Sequence, residues 1–187
     1  MRKNDVVEIV AIVDQSGSMS SVRDDAIGGF NTFLADQQAQ GDNARLTLVL
    51  FDDRYLVPVK DVPIQEVQPL DHETYVPKGM TAMNDAIGRV LVELEEKNPK
   101  KAIITILTDG AENASKEFNS VQIKSKIKAA EDRGWQVVFL AANIDAFAAG
   151  GSLGISGSNT FAFAANSQGV HEAFACMSVR ASSYRSA

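Results

Sequence analysis

Cysteine is almost absent from this chain: Cys176 is the single one among 187 residues. No disulfide can form within the chain, which suits a reducing compartment. With no matched histidine and acid to activate it, Cys176 reads as a helix core residue. Histidine is as scarce, and neither His72 nor His171 has a second His or Cys at metal-ligand spacing; both read as structural or exposed. No stretch approaches about 18 uninterrupted apolar residues, which argues against a membrane span. Basic residues are outnumbered 18 to 24, for a net charge of −6 and a pI near 4.9. The one short basic run, Lys124-Ser125-Lys126-Ile127-Lys128, alternates around a helix as a solvated face, so a nucleic-acid partner is not expected. Met1-Arg2-Lys3-Asn4-Asp5 gives a basic start, but Glu8 interrupts the apolar stretch behind it and no small-residue cleavage site follows. No secretory leader is expected, and the cytoplasm is the expected address.

Apolar residues make up 45% of the chain, enough for one sizeable core. We read a single domain over residues 1–180, with a frayed, serine-rich tail at 181–187. Strands are expected at 6–13, 45–51, 101–107 and 135–141, with a short sixth at 160–163. Asp52-Asp53-Arg54 is a turn into a partner strand at 55–57, which gives one antiparallel edge hairpin. Pro58, Pro63, Pro69 and Pro77 then mark an irregular connection. Ala26, Ile27, Phe30, Phe33 and Leu34 repeat at helical spacing behind a Ser20 cap. Met83, Ala86, Ile87, Val90, Leu91 and Leu94 describe a second helix, ended by Asn98-Pro99. Val121, Ile123, Ile127 and Ala130 describe a third, and Ser167 caps a last one running to about Val179. The segment at 150–157 is glycine-rich and reads as loop; it fits neither a dinucleotide nor a phosphate-loop pattern. Strands alternating with helices predict an α/β fold: a doubly wound, mostly parallel six-stranded sheet with one antiparallel edge strand and helices on both faces.

Ligands of such sheets gather at the carboxyl ends of the strands. There the sequence places Asp14-Gln15-Ser16-Gly17-Ser18, directly behind the first strand. Residues one, three and five of a short loop can aim three hard oxygens at one point, and Mg2+ takes such ligands at about 2.0–2.1 Å. Asp109 closes a neighbouring strand and opens on the same edge, and Thr81 stands between a glycine-containing loop and a helix start. Asp52 and Asp53 read as the hairpin turn, Asp85 as a structural hydrogen-bonding residue, and Met80 and Met83 as packing the loop against the helix. Glu112 and Asn113, after Asp109-Gly110, and Asn143 and Asp145, after the fifth strand, either contact a partner or cap the next helices.

Asp14-x-Ser16-x-Ser18, Gly79-Met80-Thr81 and Leu107-Thr108-Asp109-Gly110 together resemble the three parts of the metal-ion-dependent adhesion site (MIDAS) of von Willebrand factor type A domains, of the stand-alone bacterial or phage kind. Met80 takes the place of a second glycine often found there, without removing an oxygen. The resemblance implies a Rossmann-like fold and a divalent cation, Mg2+ first with Mn2+ or Ca2+ as alternatives. Ser16, Ser18 and Thr81 would be direct or near-direct ligands, with Asp14 and Asp109 ligating partly through water. It implies a binding module, not an enzyme, whose protein partner supplies an Asp or Glu carboxylate; an AAA+ ATPase or a stress-response protein is the class of partner suggested. The alternatives are a structural domain without metal-dependent binding, or a Mg2+-dependent phosphatase of the haloacid-dehalogenase kind. That chemistry wants a second acid two residues after Asp14, where this chain has Ser16.

Overall fold

β1 (Val7–Asp14) is apolar at every position except Glu8 and Asp14, and all its residues are buried. Such a strand must be covered on both faces. The computed structural model describes residues 5–187 and shows why: β1 lies between β2 (Ala44–Phe51) and β4 (Lys101–Thr108), parallel to both. The basic start on which the leader reading rests lies at residues 1–4, outside the described residues. Beyond β2 runs β3 (Tyr55–Pro63), antiparallel; beyond β4 run β5 (Gln136–Ala141) and β6 (Thr160–Ala162), both parallel, giving the order β3-β2-β1-β4-β5-β6. The expected sheet is therefore the observed one. Glu8 is tolerated inside it because the Lys97 ammonium lies 2.7 Å from its carboxylate.

Alternate residues of β1 divide the core. Ile9, Ala11 and Val13 face α1 (Arg23–Ala39) and α5 (Ser167–Ser186), while Val10 and Ile12 face α2 (Met83–Lys97), α3 (Ser120–Asp132) and the short α4 (Ala146–Ser152). Among the described residues no helix is long and apolar enough to cross a membrane.

Several local expectations need correction. Ser20 is not a cap: Gly17–Val22 forms a 3-10 turn that buries Met19 and Val22 before α1 begins. β3 runs six residues past Val57, through Pro58 to Pro63, because an edge strand can lose an N–H on its open side. Val121 is 78% exposed, so the α3 core face is Ile123, Ile127 and Ala130. The glycine-rich segment begins as helix α4, capped by Asp145; a Cβ on Gly150 would come 2.7 Å from the Thr160 hydroxyl oxygen, so glycine there permits close packing on β6. Asn166, not Ser167, caps α5, accepting from the Gly169 N–H.

The frayed tail is also overturned. Helix α5 continues to Ser186, Ala181 is fully buried, and Arg185 donates to the carbonyls of Gln37 (2.6 Å) and Gly41 (3.0 Å) and to Asn43 Oδ1 (2.6 Å). A composition typical of disordered ends is held by one buried guanidinium. At the amino end of β4, Lys101 Nζ reaches the Ala187 carbonyl (2.9 Å) and Lys100 Nζ reaches Asp5 (3.1 Å).

Candidate metal centre

The chain leaves β1 for β2 on one side and later returns to β4 on the other, so the carboxyl ends of β1 and β4 form the crevice of a doubly wound sheet. Asp14 ends β1 and is fully buried. Its two oxygens are divided: Oδ1 accepts the Ser16 N–H at 2.6 Å and Oδ2 accepts the Thr108 hydroxyl at 2.7 Å. From the next strand end, Asp109 Oδ1 accepts the Ser18 hydroxyl at 2.7 Å, and the Ser16 and Ser18 hydroxyl oxygens lie 3.2 Å apart. Thr81 is buried with its hydroxyl toward the Asp109-Gly110 turn; a Cβ on Gly110 would lie 3.8 Å from that oxygen. The structure thus brings all five oxygen-bearing residues read from the sequence to one edge.

Burial raises the pKa of Asp14, against the hydrogen bonds from Ser16 and Thr108 that lower it, and the nearby Asp109 charge adds to the rise. Burial raises Asp109 too, against the bond from Ser18. Among the described residues neither carboxyl is part of an ion pair. Two acids are therefore gathered without an ion-pair partner among the described residues, and three hydroxyls share the spot. Among the described residues no three His, Cys, Asp or Glu side chains group as a metal cluster. The donor set here is instead acid plus hydroxyl, all hard oxygens, which fits Mg2+ or a similar ion.

The loops are braced from behind. Tyr75 is fully buried and its hydroxyl donates to the Asp14 carbonyl at 2.7 Å, while Lys78 N–H donates to the Gln15 carbonyl (2.9 Å) and Gly17 N–H to the Gly79 carbonyl (3.1 Å). Gly79 has φ 74°, and a Cβ there would meet Asp53 Oδ1 at 2.0 Å, so this crossing requires glycine. Asp52 is buried behind the hairpin and takes Arg54 through backbone and guanidinium. Asp85 accepts three N–H groups, from Lys116, Glu117 and Phe118, as a structural residue would. Met83 packs in the core, but Met80 does not: it is 52% exposed.

Of the four rim candidates, three are engaged internally. Asn113 Oδ1 accepts the Thr81 N–H (2.8 Å) and Asn113 N–H donates back to the Thr81 carbonyl (3.0 Å), fixing the threonine backbone from both sides. The Glu112 carboxylate accepts from the N–H groups of Asn84 (2.7 Å), Ala114 (3.0 Å) and Ser115 (2.7 Å) and from the Ser115 hydroxyl (2.8 Å). Asp145 caps α4. Asn143 is exposed with φ 57°, in the left-handed region. Sequence reasoning did not single out Thr108 or Tyr75. Thr108 could have been noticed as a hydroxyl closing an apolar strand; Tyr75, in an aperiodic connection, carried no such signal.

A family model described as von Willebrand factor type A domain matches residues 8–174. Among curated proteins none matches the chain. Among solved structures, the vWF domain of the type V pili tip protein Mfa5 from Porphyromonas gingivalis is 12% identical, with a TM-score of 0.71 and 96% of each chain covered. The PilB minor pilin from Streptococcus sanguinis is 14% identical, with a TM-score of 0.66 over 97% of this chain and 62% of the pilin. Proximal thread matrix protein 1 from the mussel byssus, with a zinc-occupied MIDAS motif, is 17% identical, with a TM-score of 0.66 over 95% of this chain and 46% of its own. The chain thus spans less than two thirds of the pilin and of the mussel protein, and at these identities the likeness is one of fold.

Proposed function

This chain belongs to the von Willebrand factor type A domain family, and from that premise we propose that it is a metal-dependent protein-binding module. Asp14, Ser16, Ser18, Thr81 and Asp109 would hold a divalent cation, at which an Asp or Glu carboxylate of a partner protein would bind. The observation that carries this reading is the convergence of two buried carboxyls and three hydroxyls from separate segments on one sheet edge. When bound, the cation would supply a positive charge beside the two acids, an anchor for an incoming anion. The chain's own residues do the rest. Asp14 and Asp109 set the charge, Asn113 fixes the Thr81 backbone, and Tyr75 pins the Asp14 carbonyl so that the loop keeps its shape. Zinc at the MIDAS motif of the mussel relative supports a divalent ion; the all-oxygen donor set favours Mg2+ over softer metals.

The test has two parts. Calorimetric titration should show Mg2+ and Mn2+ binding to the wild type, lost or weakened at least tenfold in Asp14→Ala and Thr81→Ala with the circular dichroism spectrum unchanged. Affinity capture in Mg2+ should retain a protein that chelator releases and Asp14→Ala does not retain. Capture indifferent to both the chelator and the substitution would refute the proposal.

A further inference from the structure

The connection from Ile64 to Tyr75 carries one short 3-10 turn and no longer helix or strand, so its carbonyls need partners from elsewhere. Helix α1 supplies them from one side, at intervals close to two helical turns. Gln38 Nε2 donates to the carbonyls of Ile64 (3.0 Å) and Val67 (3.1 Å). Asn31 takes the Leu70 backbone twice, accepting its N–H (2.7 Å) and donating to its carbonyl (2.9 Å). Arg23, the first residue of α1, donates from Nε to the Tyr75 carbonyl (2.9 Å) and from Nη2 to the His72 carbonyl. A cation in the first turn of a helix faces the positive end of its dipole, so Arg23 does not serve the helix there. Among the described residues it is in no ion pair either. Its donors hold the turn that sets Tyr75, and the Tyr75 hydroxyl in turn holds the Asp14 carbonyl at 2.7 Å. Beyond Tyr75 the same segment meets the Asp14–Ser18 loop twice more, from Lys78 N–H to the Gln15 carbonyl and from Gly17 N–H to the Gly79 carbonyl.

We infer that Arg23 is a positioning residue for the candidate metal centre, acting through Tyr75. By fastening the connection to α1 it fixes the Asp14 carbonyl from behind and lays residues 78–81 across the Asp14–Ser18 loop. One guanidinium thus orders two of the three oxygen-bearing segments. That cation affinity depends on this order rests on the function proposed above; the ordering of the loop does not. The two are then linked reciprocally: loss of Arg23 weakens cation binding, and cation binding protects the connection.

The experiment is amide hydrogen exchange on the whole chain in chelator, followed by Mg2+ calorimetry. In chelator, Arg23→Ala should speed exchange at the Gly17 and Lys78 amides roughly tenfold, as for lost hydrogen bonds from a charged donor, and more than at amides of β1 and β4. Tyr75→Phe, which keeps the ring and loses the hydroxyl, should loosen the same two amides. Exchange unchanged at Gly17 and Lys78, or accelerated equally throughout the sheet, overturns the inference whatever the metal does. With Mg2+, each substitution should weaken binding roughly fivefold, and the double variant no more than the stronger single, because both act on one carbonyl. Additive losses, or wild-type affinity in Arg23→Ala, overturn the coupling to the cation. Arg23→Lys keeps the charge but not the forked donors; it should move both readouts the same way by less, and stands in if the alanine variant does not fold. A wild type that binds no Mg2+, with the amide effect present, removes the metal reading and leaves Arg23 as the residue that positions the loop.

Discussion

Asp14 and Asp109 are held in the folded state with pKa values above their ordinary 3.8, both chiefly by burial. A carboxyl raised in this way favours folding while protonated, and that contribution is lost as pH rises from the unfolded value through the folded one. A cation reverses the balance, because it stabilises the ionised pair. The thermal shift given by saturating Mg2+ should therefore be larger at pH 7.5 than near pH 3.8, where a carboxyl raised above that value is at least half protonated, measured by differential scanning calorimetry with a chelated control at each pH. At a cation concentration near a hundred times Kd the gain is about 2.7 kcal/mol, or roughly 5–10 °C for a domain of this length. A shift of the same size at both pH values would show that these two carboxyls do not set the affinity. Asp14, Ser16 and Ser18 were legible because they share one short loop, and Thr81 and Asp109 because each ends a recognisable segment. The groups that orient them were not: Tyr75 is 61 residues from the carbonyl it holds, and Thr108 is 94 from Asp14. No periodicity links such pairs before the sheet forms.

Helices α1 and α5 pack through two adjacent glycines that face different surroundings. A Cβ on Gly28 would make an ordinary contact of 3.8 Å with His171, whereas one on Gly29 would meet the buried Phe174 ring at 2.4 Å. Phe174 is also held edge-on by Phe30, so it has little room to yield. Gly28→Ala should then stabilise the protein by about 0.5–1 kcal/mol through backbone entropy and helix propensity. Gly29→Ala gains the same but overpacks the core at about 1–3 kcal/mol, for a net loss near 1 kcal/mol. Urea unfolding midpoints at unchanged slope decide this, and midpoints moving in the same direction would contradict the packing argument. The elements with long apolar runs, β1, β4 and β5, were readable because burial on both faces leaves few polar positions to break the pattern. Helix α4 was not, since the glycine that allows it to approach β6 is also the residue that marks a loop in isolated sequence.

Across the whole molecule, the end of α5 closes the side of the domain that α1 begins. Arg185 joins Gln37 at the end of α1 to the turn at Gly41 and Asn43 that feeds β2, so removing residues 181–187 strands several buried acceptors. We expect Arg185→Ala to cost about 2–3 kcal/mol, in line with loss of hydrogen bonds from a charged donor, and the truncation to cost more. Chemical denaturation measures both; a truncated chain of wild-type stability would return the segment to the frayed tail expected from its composition. The serines there misled because nothing local reveals that a guanidinium about three turns from Phe174 has a burial site waiting on another helix.

Lys100 and Lys101 tie both ends of the described chain, near Asp5 and at Ala187, to the amino end of β4. The candidate centre lies at the other end of the same strand. A tether attached at either end therefore leaves from the pole opposite the oxygen cluster, and a domain fixed to a support or spliced into a larger polypeptide would point its binding pole outward, like a plug presented by its cord.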